Sequence, residues 1–212
     1  MVHQPEHEAL AGKDDVSEAD VRTDGEPAVD AEGKADADAQ ANAETPGIHT
    51  ATLQWRDQGP LFATRADATG LAYLRGLITG EAVAPPVAQV LGIEVVKADP
   101  GTVRFTMPVQ DHFTNHLGFL AGGILSTVVD AALGCAVLSA VPADKDIVTL
   151  DLNVDFLRPV REIAGPVTVD AEVVHLGRNR GLASCRVVDA DGRLCAVGKS
   201  SCLIRDKAPG GA

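Results

Sequence analysis

Hydrophobic and polar residues alternate strictly along residues 148–156 of the chain. The apolar positions are Val148, Leu150, Leu152, Val154 and Phe156. The positions between them are Thr149, Asp151, Asn153 and Asp155. A period of two is typical of a β-strand with one buried face. The pattern therefore predicts a half-buried strand in this segment.

Two helices are predicted earlier in the chain. Residues 67–80 place leucine and isoleucine side chains at helical spacing, with Asp67 suited to the N-cap and Gly80 to the stop. The segment "PVAQVLG" predicts one or two further helical turns that end at Gly92.

The remaining patterned segments are predicted to be strands. "IEVVKADPGTVRFTMPV" contains two strands with a turn at residues 99–101. Three more are predicted from "PVTVDAEVVHLG", "GLASCRVVDADG" and "RLCAVGKSSCLIR", joined by the hairpin turns "GRNRG" and "DADG". Helices and strands in this order predict an α+β fold, in which an antiparallel sheet has its helices on one face.

Residues 117–141 are almost entirely apolar or small, and Asp130 is their only charged residue. A membrane span fits the length, but Asp130 would cost roughly 2.5–3.5 kcal/mol at its centre, and four glycines lower the hydrophobicity. We expect instead a helix that begins near Gly122–Gly123 and is buried on nearly all sides. Either Asp130 is a structural residue bonded to a backbone group or a threonine, or it is a carboxylate kept for chemistry.

Gly122 and Gly123 lie at the predicted start of this helix, where backbone N–H groups have no helical partner. Such donors can stabilise a developing oxyanion, so with Asp130 they suggest acyl-transfer chemistry. Eight residues separate Gly122 from Asp130, which is about 12 Å along a helix axis. One helix cannot comfortably supply both groups to one reacting carbon, so we expect a symmetric dimer that combines the glycines of one subunit with the aspartate of the other.

Composition separates residues 1–50 from the rest of the chain. They contain 13 Asp/Glu and 3 Lys/Arg, a net charge of −10 out of the total of −12. We expect a disordered acidic arm over residues 1–50, a folded domain over 51–206 and a flexible tail over 207–212. The acidic charge argues against nucleic-acid binding. No secretory signal is recognised and the four cysteines form no CxxC pair, so we expect free, buried thiols and a cytoplasmic protein.

Three segments together resemble the PaaI-like, hotdog-fold acyl-CoA thioesterases. They are "TGLAYLRGLITGE", "NHLGFLAGGILSTVVDAALGCAV" and "VTLDLNVDFLRPV". The resemblance covers roughly residues 51–206. It implies a long central helix wrapped by an antiparallel sheet, with an extra N-terminal helix, in a homodimer that can pair into a homotetramer. It also implies hydrolysis of acyl-CoA, with coenzyme A as part of the substrate and with no cofactor. We also expect no metal site, because the i, i+4 spacing of His112 and His116 would suit a metal only on a helix and "DHFTNHLG" does not predict one.

The resemblance also implies roles for individual residues. Asp130 matches the family's base or nucleophile, and Gly122 matches the N–H donor to the thioester oxygen, with Gly123 beside it. Asn115 matches the side chain that places the water or the carbonyl, and Thr149 matches the hydroxyl that assists the carboxylate. Among the basic residues, the candidates for coenzyme A phosphates are Arg178 and Arg180, followed by Arg158 and Arg161.

One residue departs from the family pattern. The family usually has a histidine before the two glycines, and this chain has Ala121. His116 lies close by in sequence and is a candidate to replace it in substrate binding. Because the imidazole is missing, a second function stays open, in which the protein binds acyl-CoA without hydrolysing it, or hydrolyses it only weakly.

Overall fold

The structure is a computed structural model that describes residues 47–57, 68–161 and 165–207. The contacts of the chain divide it between Thr50 and Ala51, and all elements named below belong to the second unit. Most of the predicted arm, residues 1–46, and residues 208–212 of the predicted tail lie outside the described residues.

The described elements follow the predicted order. The helices are α1 Gly70–Thr79, α2 Pro86–Leu91 and α3 Gly122–Ala140. The strands are β1 Glu94–Asp99, β2 Thr102–Met107, β3 Lys145–Phe156, β4 Val167–Leu176, β5 Arg180–Val188 and β6 Leu194–Asp206. A short 3-10 helix, Asp111–Phe113, lies in the loop before α3.

The six strands form one sheet in the order β1-β2-β4-β5-β6-β3, and all neighbours are antiparallel. Helix α3 packs against β2 to β6, and α1 packs against α3 and β1. Alternate residues of β5, such as Ala183, Cys185 and Val187, are buried while Arg186 is exposed, because successive side chains point to opposite faces of a sheet. The predicted α+β fold, a long helix wrapped by an antiparallel sheet with an extra helix before it, is confirmed.

Burial against the sheet explains why α3 is so apolar. By length and composition alone this helix could cross a membrane. In the fold, however, Val128, Val129, Leu133 and Val137 are completely buried in the core. Helices that are apolar on most sides belong inside a protein, and α3 occupies that position here.

One predicted helix boundary is wrong. Helix α1 takes its N-cap from Thr69, whose hydroxyl oxygen accepts a hydrogen bond from the Ala72 N–H at 3.0 Å. Asp67, which we expected to cap it, precedes the start by three residues and lies outside the described residues. The predicted stop at Gly80 is confirmed, since this residue has φ = +82°, a left-handed conformation that glycine adopts most easily.

Strand β3 is a strand as predicted, but the prediction that one of its faces is buried is wrong, because none of its residues is fully buried. It is the last strand at one edge of the sheet, and no strand among the described residues pairs with its free side. Leu150 and Phe156 are 53% and 54% exposed. A long apolar edge is unusual in a monomer, because it offers unpaired backbone groups to another strand.

Glycines on the sheet allow α3 to approach closely. A Cβ atom at Gly181 of β5 would lie 2.5 Å from Cγ1 of Val137 in α3. A Cβ atom at Gly198 of β6 would lie 2.8 Å from Cγ1 of Val129. The distance between helix and sheet is therefore set by residues that have no side chain.

We expect Gly181→Ala to destabilise the fold, because Val137 is fully buried and has no room to move. Overpacking of this kind costs about 1–3 kcal/mol, which lowers Tm by several degrees in a protein of this size. The matched control is Gly123→Ala, whose Cβ atom would meet open space. Thermal unfolding of the two variants checks the prediction, and equal melting temperatures would contradict it.

Candidate active site

Asp130 lies on α3 at the point where β3 passes beside the helix. The Thr149 hydroxyl of β3 donates a hydrogen bond to Oδ1 of Asp130 at 2.9 Å. The structure therefore brings together two of the residues that the sequence singled out. A threonine partner alone fits both a structural and a chemical role for Asp130, so the surroundings of the carboxylate have to distinguish them.

Those surroundings are apolar and open. Asp130 is half-buried and lines a groove of about 530 Å³ together with Thr127, Ala131 and Cys135 of the same helix. No lysine or arginine of the described residues forms an ion pair with it. A purely structural aspartate would be expected in a sealed site with its oxygens satisfied. Asp130 instead faces a space that is large enough for a ligand.

Cys202 lies next to Thr149 and Asp130, and the sequence did not predict this position for it. It faces Thr149 across the β3–β6 ladder and is fully buried. Burial, with a further contribution from the nearby charge of Asp130, raises the pKa of the Cys202 thiol. The thiol therefore stays protonated, and Asp130 is the better candidate for the reacting group.

The N-terminus of α3 presents unpaired backbone donors. Its N-cap, Ala121, has no capping side chain, and the first helical hydrogen bond runs from the Leu125 N–H to the Ala121 carbonyl at 3.1 Å. Gly122 and Gly123 come before Leu125 in the first turn, so their N–H groups have no acceptor within the helix. Neither N–H group has a backbone acceptor elsewhere in the described part of the chain. The Phe156 ring lies beside Gly122, where a Cβ atom would be 3.1 Å from Cζ of the ring.

Asn115 builds the loop that leads into α3. Its Oδ1 accepts hydrogen bonds from the N–H groups of Leu117 at 2.9 Å and Phe119 at 3.3 Å. Gly118 completes the turn with φ = +72°. The side-chain oxygen of Asn115 is thus engaged in the turn, and only its NH₂ group is left to place a water or a carbonyl. His116 is exposed on the same turn.

The predicted arginines are not next to Asp130 within one chain. Arg178 is exposed in the β4–β5 turn. Arg180 donates to the Ser201 hydroxyl at 2.7 Å and lies 3.5 Å from Oδ2 of Asp151. Hydrogen bonds from Ser201, with a smaller contribution from the charge of Arg180, lower the pKa of Asp151.

Arg158 and Arg161 were the second pair of candidates for the coenzyme A phosphates. Arg161 lies near the loop before α3. Its guanidinium carbon is 5.0 Å from the centroid of the Phe119 ring. The backbone N–H of Arg158 bonds to the Cys195 carbonyl at 3.1 Å. The roles predicted for the basic residues, for Asn115 and for the glycines stay predictions.

Comparison with known proteins gives a consistent result. The thioesterase superfamily model matches residues 117–196. A Halobacterium salinarum protein, provisionally named as an esterase, is 39% identical over 122 residues, which cover 52% of this chain and 79% of that protein. The human acyl-coenzyme A thioesterase 13 is 30% identical over 128 residues, which cover 59% of this chain and 90% of that protein.

Solved structures show the same fold. A thioesterase from Haemophilus influenzae is 27% identical with a TM-score of 0.55, and the match covers 64% of this chain and 90% of that one. The Escherichia coli PaaI protein is 24% identical with a TM-score of 0.58, and the match covers 65% of this chain and 97% of that one. With its wrapped helix, its glycine turn and these matches along the same segment, the chain belongs to the thioesterase superfamily and has the hotdog fold.

Proposed function

We propose that the protein hydrolyses an acyl-CoA thioester to the free acid and coenzyme A. The observation that carries this proposal is Asp130, a carboxylate that accepts a hydrogen bond from the Thr149 hydroxyl and lines an open apolar groove. Two relatives support the class of substrate by their names. They are the human acyl-coenzyme A thioesterase 13 and a 1,4-dihydroxy-2-naphthoyl-CoA hydrolase from Listeria monocytogenes, 22% identical over 119 residues.

The reaction uses Asp130 in one of two ways. As a base, it takes a proton from water while the water oxygen attacks the thioester carbon. As a nucleophile, it attacks that carbon itself, and water then hydrolyses the resulting anhydride. In both routes the carbon–sulfur bond breaks, and the departing thiolate of coenzyme A takes up a proton. Thr149 holds the carboxylate in position, and the Gly122 N–H stabilises the oxyanion.

The site is completed by a second copy of the chain. Gly122 and Asp130 of one helix are about 12 Å apart along its axis, too far to act on one carbon. The free edge of β3 gives the means of pairing. Thr149 contacts Asp130 toward the start of β3, and Phe156 contacts Gly122 at its end. Antiparallel pairing of two β3 strands near their middle brings Asp130 of one copy toward Gly122 of the other.

Coenzyme A then extends from this interface toward solvent. Arg178 and Arg180 are our candidates for its phosphates, because a guanidinium pairs well with phosphate oxygens and both residues are exposed. His116 and Asn115 lie in the loop before α3. The His116 side chain and the NH₂ group of Asn115 are proposed to contact the thioester or the water. Two such dimers can also associate into a homotetramer.

A second candidate function is acyl-CoA binding without turnover. The observation that favours it is Ala121, the N-cap of α3, whose methyl side chain cannot donate a hydrogen bond to the thioester. The hydrolytic function is favoured over binding alone because Asp130, hydrogen bonded to Thr149, also lines an open groove that can hold a ligand. Release of free thiol from acyl-CoA distinguishes the two functions.

We expect Asp130→Asn to lose at least about a hundred-fold in turnover, because a general base alone contributes 10²–10⁴-fold. The shape of the side chain is kept, so the melting temperature and the dimer should stay close to wild type. The matched control is Glu172→Gln, an exposed carboxylate on β4 that should leave turnover unchanged. Turnover and thermal unfolding are measured on the same preparation. A folded Asp130→Asn variant with full activity, or one that unfolds, would support a structural role.

If the subunits pair through β3, a charged substitution on β3 should prevent dimer formation and one on β1, at the opposite edge of the sheet, should not. Leu150→Lys places a charge on the apolar free edge and should convert a dimer into monomers with native circular dichroism and little turnover. The matched control is Val96→Lys on β1 at the opposite edge, where the wild-type side chain is 45% exposed. Sedimentation of both variants measures the outcome. An unchanged dimer in Leu150→Lys would exclude this interface.

A further inference from the structure

The groove beside Asp130 lies between the two short helices that precede the sheet, the first strands of the sheet and α3. Its walls come from α1, the α1–α2 connection, α2 and β1, and α3 forms its base. We call it the α1–α2 groove. Its main apolar residues are Tyr73, Leu77, Ile78, Val87, Ala88 and Phe105. Asp130 and these walls belong to the same subunit.

Side-chain hydrogen bonds fix the outer wall of the α1–α2 groove. The Tyr73 hydroxyl donates to the Val83 carbonyl at 3.2 Å and so ties α1 to the connection. The Gln89 side chain donates to the Ala84 carbonyl at 2.6 Å and ties α2 to the same connection. The groove is therefore preformed, and binding does not have to order its wall.

The rim of the α1–α2 groove has exposed apolar side chains. Ile78 and Val87 are 43% and 53% exposed on its two sides. Exposed apolar side chains around a concave space are typical of a site that binds an apolar ligand. Because Asp130 lines the same space, a ligand in this groove reaches the proposed reacting carboxylate.

The charge of the α1–α2 groove is one-sided. Its ionisable lining residues in the described chain are Glu94, Asp130 and the Tyr73 hydroxyl and Cys135 thiol, and no lysine, arginine or histidine is among them. An acyl group that ends in a carboxylate would meet two like charges and find no cation. Desolvating that second carboxylate without a partner is unfavourable.

We propose that the α1–α2 groove binds the acyl part of the thioester and selects neutral, apolar acyl groups against acyl groups with a terminal carboxylate. This inference rests on the proposed thioesterase function and gives it a substrate class. It also assigns a purpose to α1 and α2, which form the acyl-binding wall of the subunit whose Asp130 reacts.

The first test compares substrates of the wild-type dimer. Each added CH₂ group buried in the groove is worth about 0.8 kcal/mol, so kcat/KM should rise roughly four-fold per CH₂ from butyryl-CoA to octanoyl-CoA. Hexanoyl-CoA and adipoyl-CoA have six-carbon acyl groups and differ by the terminal carboxylate. We expect kcat/KM for hexanoyl-CoA to exceed that for adipoyl-CoA by more than about ten-fold. In Glu94→Lys this ratio should be a few-fold smaller, because a cation replaces one of the two like charges.

The second test changes the groove itself. Ala88→Leu fills part of the apolar wall, so kcat/KM for octanoyl-CoA should fall about ten-fold while butyryl-CoA is little affected. Val90→Leu is the matched control, since Val90 is on the same short helix but does not line this groove. Binding of the same esters to Asp130→Asn is measured by calorimetry in parallel.

The outcomes separate the two proposals. If no ester releases thiol but calorimetry shows the predicted dependence on chain length and on Ala88→Leu, the hydrolysis proposal fails and the groove stands. If esters are hydrolysed but chain length has no effect on kcat/KM, or Ala88→Leu behaves like Val90→Leu, the α1–α2 groove is not the acyl site. If adipoyl-CoA and hexanoyl-CoA have equal kcat/KM, the groove does not select by charge. Either result overturns the inference.

Discussion

Helix α3 has to bury apolar side chains on nearly every side, and one face of a sheet can cover only part of a helix. The strands cover the largest part, helped by Gly181 and Gly198, which let the backbones approach. Helix α1 covers another part, where Gly70 would meet the Leu138 carbonyl if it had a Cβ atom. Among the described residues, a narrow stripe that includes Thr127, Asp130 and Cys135 lines an open groove instead. The position of the carboxylate thus follows from how the helix is covered.

The same packing leaves the site incomplete in one chain. The stripe around Asp130 and the donors at Gly122 lie on one rigid helix, so neither can move toward the other. The free edge of β3 runs past both, with Thr149 beside Asp130 and Phe156 beside Gly122. Pairing of this edge with a second copy covers its exposed apolar side chains. It also supplies each carboxylate with a set of donors.

Local patterns were enough to predict the helices and strands, and the family resemblance added one contact of the site. The uniform apolarity of residues 117–141 predicted a buried helix, and the period of two in residues 148–156 predicted β3. The contact of Asp130 with Thr149 followed from the family resemblance. A helix cap depends on which nearby hydroxyl reaches the first turn, and pattern alone did not distinguish Thr69 from Asp67.

Features that depend on tertiary placement were not predictable in this way. Alternation cannot tell an edge strand from an internal one, so β3 was expected to be half-buried in the chain itself. The sequence did not indicate that the side-chain oxygen of Asn115 accepts hydrogen bonds within the turn, which leaves only its NH₂ group for the predicted role. The α1–α2 groove involves residues far apart in sequence, such as Ile78, Val87 and Asp130, and no local signal connects them.

The central claim, that each site combines Asp130 of one subunit with the Gly122 donor of the other, can be measured in a mixed dimer. Gly122→Pro removes the N–H at the first helical position, and Ala121 before it has the extended conformation that proline requires (ψ = 133°). Gly122→Ala keeps the N–H, adds a Cβ atom at the same distance from the Phe156 ring and is the steric control. Differently tagged Asp130→Asn and Gly122→Pro subunits are co-expressed, and the heterodimer is purified. By two-fold symmetry one of its two sites is intact, so the account predicts about half of the wild-type turnover, although each homodimer is nearly inactive. An equally inactive heterodimer would show that both groups act within one subunit.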